Sequence, residues 1–238
     1  MYYITFLYFC TDAKQVLTQG QEETAFEWAE KGIQELSGAA GRAGLALFYA
    51  EALMLRGAEH ALRVMEECME RDGEELKREK NYELLLEIKA QLLSYYFLTG
   101  KKEALAKGAR EFRDIFCTAY PQAELEDWAA VKREGPKRYG EIGWYYLAMG
   151  KKDFAQQCFQ KQWSLAPCIR CRSRHGCYRG YLNIARYYEA IKEYNRAIYF
   201  YKEVLGEKHL PNLTEAKMAL ARLQKMPKAE RGEEFRRW

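Results

Sequence analysis

The sequence predicts an all-α chain folded as antiparallel helical hairpins, and three observations predict it. Ala, Leu, Glu, Lys and Arg dominate, prolines number only 5, and strand-type runs of Val, Ile and Thr are almost absent. Apolar and small side chains return at i, i+3, i+4 and i+7, which lines one face of an α-helix. Glycine turns punctuate these stretches, with Gly100-Lys101-Lys102 echoed at Gly150-Lys151-Lys152.

The opening Met1–Cys10, MYYITFLYFC, is apolar but too short to span a bilayer, and Asp12 and Lys14 follow at once. It lacks the basic start and the small-residue cleavage site of a secretory leader. It reads as a buried first helix. Phe9, Ala13 and Val16 lead past Gly20 to Ala25 and Ala29, a hairpin over about 1–36, although Asp12 sits where a large apolar residue is wanted. A chain that opens inside such a unit reads as a fragment of something longer, with a domain ahead of it.

The next hairpin, about 42–80, carries Leu45, Phe48, Tyr49 and Ala52 before Arg56-Gly57, then Ala61 and Met65. The charged stretch Met69–Lys80 is expected to lengthen its second helix and to face solvent. A third hairpin spans about 82–120. Its register is ambiguous: Ile88, Tyr95 and Ala104 fit one phase, and Leu92, Tyr96 and Leu105 fit the other. From Pro121 to Lys137 we expect a short helix around Glu124–Val131 and a Gly135-Pro136 break, an insertion or a degenerate half-repeat.

The stretch 137–167 has the clearest pattern. Tyr139, Ile142, Gly143 and Tyr146 share one helix face, Gly150 stops that helix, and Phe154, Ala155, Cys158, Phe159 and Gln162 form a second face closed by Pro167. Small Gly143 and Ala155 permit close approach of the two helices, and Tyr139, Tyr146 and Phe159 fill the space around it. A hairpin with such a face needs a neighbour to bury it. A second copy follows over 177–206, with Tyr181, Ile184, Ala185 and Tyr188, then Ala197 and Tyr201. Asn212–Lys225 carries Leu213, Ala216, Leu220 and Leu223 on one side and suits a terminal cap. The tail 227–238 is charged and is expected to be disordered.

The offsets Tyr139-x2-Ile142-Gly143-x2-Tyr146, Ala155-x3-Phe159 and Pro167 resemble the tetratricopeptide repeat (TPR) family, whose pattern runs W-x2-L-G-x2-Y, A-x3-F, P. The resemblance implies a right-handed α-solenoid of about five hairpins with a C-terminal capping helix, a single domain over 1–226. It also implies a protein–protein interaction scaffold that holds a peptide or partner segment in a concave groove lined by the first helix of each hairpin. Carried over residue by residue, that groove comprises Trp144, Leu147 and Ala148, then Leu182, Asn183, Arg186 and Glu189, with Leu93, Tyr96 and Phe97 as a continuation. Asn183 matches one position of the carboxylate clamp found in some family members. Gly140 and Trp144 stand where that clamp needs Lys and Asn, so the clamp is not carried over.

The net charge of +4 is too small to argue for nucleic acid as a partner. Seven cysteines, an odd number, with no visible leader point to free thiols and a cytoplasmic protein. Cys10, Cys68, Cys117 and Cys158 lie on predicted helices and are expected as buried small apolar side chains. Cys168, Cys171, His175 and Cys177 crowd into one loop as C-x2-C-x3-H-x-C, which offers four ligands to a structural zinc ion. Arg170, Arg172 and Arg174 stand beside these cysteines and would stabilise thiolates without metal, so zinc, free thiols and a redox role all stay open. The three histidines, His60, His175 and His209, are scattered, and no nucleophile-elbow, zinc-protease, dinucleotide or P-loop pattern is present. The chain therefore reads as non-catalytic. The alternative function is a helical accessory region of a larger bacterial enzyme, glycosyltransferase-like, or of a peptide-sensing regulator. A homodimer is compatible with either reading; a membrane is not expected.

Overall fold

The computed structural model describes residues 22–54, 56–121, 136–165, 177–206 and 213–231. Among them the secondary structure is helical throughout, without strands. Ten α-helices follow one another among the described residues: α1 (Glu22–Glu35), α2 (Ala39–Leu53), α3 (Ala58–Arg78), α4 (Tyr82–Leu98), α5 (Lys102–Ala119), α6 (Pro136–Ala148), α7 (Lys152–Leu165), α8 (Cys177–Ala190), α9 (Tyr194–Gly206) and α10 (Leu213–Lys225). The chain divides into two compact units, Met1–Pro121 and Gln122–Trp238.

In the first unit α2 pairs with α3 and α4 with α5, α1 packs on α2, and α3 and α4 pack together. In the second, α6 pairs with α7 and α8 with α9, while α8 also touches both α6 and α7, and α10 closes against α9. This is the hairpin arrangement expected from the sequence. The expectations for Met1–Gly20, Glu124–Val131 and the tail from Gly232 lie outside the described residues. The start of the tail is not disordered as expected but forms a short 3-10 turn, Lys228–Glu230, after which Arg231 donates to the Met226 carbonyl (2.8 Å).

Why these segments fold back is visible at the turns. Three hairpins close identically. The N–H of Lys101 donates to the carbonyl of Tyr96, that of Lys151 to Tyr146, and that of Glu193 to Tyr188. Each is a six-residue C-terminal lock that requires a left-handed residue just before its donor. Gly100 (φ +72°) and Gly150 (φ +74°) supply it without strain, whereas Lys192 (φ +66°) does so with a side chain. The link between α3 and α4 uses the same device, with Lys80 (φ +56°) ahead of an Asn81 N–H that donates to Leu76.

These locks settle the phase of 82–120. Tyr96 occupies the place of Tyr146 and Tyr188, so the Leu92, Tyr96 and Leu105 phase is the one adopted. With the turns aligned, Leu93 stands where Gly143 and Ala185 stand, and Ala109 stands where Phe159 and Tyr201 stand. The bulky partner has moved from the second helix to the first. In α6/α7 a Cβ on Gly143 would lie 2.9 Å from the Phe159 ring; in α4/α5 a Cβ on Gly108 would lie 3.2 Å from Leu93. Both hairpins make one close approach, filled from opposite sides.

Met69–Lys80 does extend α3, as expected, but it does not simply face solvent: Asp72, Gly73 and Leu76 are buried. Arg42 on α2 reaches Asp72 Oδ1 from Nε (2.9 Å) and Nη2 (2.6 Å) and donates from Nη1 to the Leu36 carbonyl (3.0 Å). Arg71 takes the other oxygen, Oδ2, from Nε (3.0 Å) and Nη2 (2.7 Å). A carboxylate buried this fully is tolerated because both oxygens are met by guanidinium donors. The partner that buries it lies 30 residues away, which the local charge pattern does not reveal.

Candidate functional site

The predicted groove residues sit on α6 and α8, the first helices of two successive hairpins, and these helices touch. Trp144, Leu147, Leu182 and Arg186 are buried; Ala148, Asn183 and Glu189 are half-buried. Trp144 packs edge-on against Phe159 (ring centroids 5.1 Å apart), and Phe159 in turn meets Tyr187 at 5.2 Å. The indole thus lies among α6, α7 and α8, and the stacking contributes on the order of 1 kcal/mol per pair beyond area burial.

A chain of amides runs through the same place. Trp144 Nε1 donates to Asn183 Oδ1 (3.5 Å), and Asn183 Nδ2 donates to Gln162 Oε1 (3.4 Å). Gln162 is buried, and it has room only because residue 140 is glycine: a Cβ there would come within 2.5 Å of the amide. The sequence signal for this contact was a glycine on α6 opposite a polar residue on an otherwise apolar face of α7. Arg186 is the largest fully buried side chain among the described residues. Glu189 accepts a hydrogen bond from the Tyr201 hydroxyl (2.9 Å) and pairs with Arg222 Nη2 (2.5 Å), so it ties α8 to α9 and α10. Sequence reasoning named Asn183 and Glu189 but missed Gln162 as the partner of the first and Tyr201 and Arg222 as the partners of the second.

Leu93 is buried, and Tyr96 and Phe97 are half-buried on α4. Burial, helped by nearby Glu66, lifts the Tyr96 phenol well above its usual range, so it stays a neutral donor. Cys68 and Cys158 are buried as expected, whereas Cys117 is exposed on α5, and Cys10 lies outside the described residues. Cys168, Cys171 and His175 also lie outside them, and of Cys177 only the backbone, at the start of α8, is described. Among the described residues no cluster of His, Cys, Asp and Glu is arranged to hold a metal ion. No helix among them is long and apolar enough to cross a membrane.

Comparison with protein-family models gives no match, and neither does comparison with curated proteins. Among solved structures, the chain is similar to a protein of Podosopora anserina described as a kinesin light chain with nearly identical TPR-like repeats, at 15% identity and a TM-score of 0.43. That alignment covers 92% of this chain and 96% of the other. A single-substitution form of the same protein aligns over the same shares, at 15% identity and a TM-score of 0.44. The helical-repeat character of this chain is carried by its own hairpins: the recurring turn lock, the buried Gly143–Phe159 approach and the stacking of α8 on both helices of the preceding hairpin.

Proposed function

We propose that the chain is a non-catalytic protein–protein interaction scaffold that holds a peptide or partner segment along the face shared by α6 and α8. The supporting observation is that these two first helices touch and that Trp144 of one donates to Asn183 of the other. In this reading Trp144, Leu147, Leu182 and Arg186 form the rigid floor, and Ala148, Asn183 and Glu189 are the reachable contacts. A floor locked by ring stacking and amide bonds costs little further ordering when a segment docks.

The test is a selection of displayed peptides on the full chain, followed by binding to wild type and to Ala148→Glu. Ala148 is half-buried at the end of α6, and the new carboxylate alters the rim rather than the floor. The expected result is a set of peptides that bind wild type and lose about tenfold in affinity to the variant, with helical circular dichroism unchanged. Peptides indifferent to the variant, or none selected, would overturn the reading. The cytoplasm is the compartment proposed with it; the thiols of Cys68, Cys117 and Cys158 are free, which agrees. The Cys168, Cys171, His175 and Cys177 run is proposed as a structural zinc site, to be read as metal released on thiol modification. About one equivalent is the expected outcome; none would leave free thiols and a redox role as the readings.

A further inference from the structure

The first unit holds a cleft of about 390 Å³ bounded by α1 and α3, with Ala46 and Leu53 of α2 in its wall. Four basic side chains line it: Arg56, His60, Arg63 and Arg71. Two are held in position. The Arg56 guanidinium lies 4.4 Å over the Phe26 ring and pairs with Glu23. Arg71 is clamped on Oδ2 of the buried Asp72. His60, Arg63 and Arg71 follow one stripe of α3, roughly 16 Å from end to end at 1.5 Å per residue. Arg63, between the two anchored ends, is exposed and forms no ion pair among the described residues. Two carboxylates also line the cleft, Glu30 and Glu67; Glu30 already accepts the Tyr49 hydroxyl.

We propose that this cleft docks a short acidic-aliphatic segment of a partner protein. Its carboxylates take Arg63 and the outward edges of Arg56 and Arg71, and its aliphatic side chains enter between α1 and α3 toward Ala46 and Leu53. Guanidiniums already fixed by a ring and by a buried carboxylate lose little freedom when a second carboxylate arrives. A peptide is favoured over nucleic acid because residues 1–121 carry more Asp and Glu than Lys and Arg. The field of that unit repels a long polyanion, while a segment matched to the stripe gains locally. The site lies in the other unit from the α6–α8 face and shares with that reading only the class of ligand.

The experiment is fluorescence anisotropy on the full chain with a labelled octapeptide of alternating Glu and Leu, against one of alternating Lys and Leu. The acidic peptide is expected to saturate and the basic one not. Arg63→Glu should weaken binding about tenfold or more with circular dichroism unchanged, and Arg110→Glu, exposed on α5 outside the cleft, should leave it as it was. No saturable binding, equal binding of both peptides, an unchanged affinity in Arg63→Glu, or displacement by single-stranded RNA at lower concentration would each overturn the proposal. Ala148→Glu leaves this affinity untouched, so the two sites fail or succeed separately.

Discussion

Gly143→Ala adds one methyl group at the closest approach of α6 and α7. The new Cβ would stand 2.9 Å from Cε1 and Cζ of Phe159 and 3.1 Å from Cδ1. Carbon atoms in comfortable contact lie about 3.5–4.0 Å apart, so the ring must retreat by more than half an ångström. It has nowhere to go: Phe159 is fully buried, with Trp144 against one side and Tyr187 against another. Overpacking of this kind costs about 1–3 kcal/mol. Replacing a helical glycine by alanine returns about 1 kcal/mol. The net expectation is a loss of up to about 2 kcal/mol, seen as a lower midpoint at unchanged slope in a urea titration followed by circular dichroism. Gly41→Ala is the control. Its Cβ would sit at an ordinary 3.7 Å from Leu36 Cδ1, so the same exchange should be neutral or stabilise by up to about 1 kcal/mol. A smaller partner should restore what the methyl removes, so Gly143→Ala and Phe159→Leu together should show coupling of about 1 kcal/mol. A Gly143→Ala protein stabilised by about 1 kcal/mol, as a helical glycine replaced without a clash would be, would refute the claim that this contact sets the interhelical distance.

The left-handed lysines offer the opposite sign. Lys192→Gly and Lys80→Gly should each stabilise by about 1 kcal/mol, because each relieves a strained turn (φ +66° and +56°), and the gain should appear in the same titration. Asp72→Ala should cost about 2–4 kcal/mol, since it leaves Arg42 and Arg71 facing a buried space, and a stability close to wild type would show that the clamp is idle. Burial pushes the Cys68 and Cys158 thiols from their ordinary value near 9 up to about 12, so in the native protein at about pH 8 a thiol reagent should label exposed Cys117 and spare these two. The same shift predicts alkaline destabilisation. The buried thiols stay protonated when the unfolded ones ionise, so the stability they provide is whole below pH 9 and is lost as pH rises toward 12.

The hairpins were legible because their boundaries are local. Gly100, Gly150 and the 3.6-residue periodicity specify where a helix stops and which face it buries, and the observed helices end within a few residues of those marks. The phase of 82–120 was not legible, because the pattern assumes a small residue on the first helix and a large one on the second. Leu93 and Gly108 reverse that assignment while keeping the contact. Asp72 escaped for a related reason: its burial depends on Arg42, which no local window contains. The α6 and α8 residues were placed on their helices correctly by offset. How deeply Trp144 and Arg186 lie was not readable, since depth is set by Phe159, Gln162 and the neighbouring hairpin rather than by the helix that carries them.

The reversed close approach has a consequence for assembly. A chain of near-identical hairpins risks pairing a first helix with the wrong second helix, within one molecule or between two, because every candidate offers a similar apolar face. Here the candidates are not equivalent. Setting α5 against α6 would oppose Gly108 to Gly143 and leave a hollow, and setting α7 against α4 would drive Phe159 into Leu93. Each mismatch is penalised by a void or a collision at the point where a native pair interlocks, so the reversal keeps α4 and α5 from exchanging partners with α6 and α7. A sequence that loses fidelity to a repeat consensus can in this way gain fidelity in pairing.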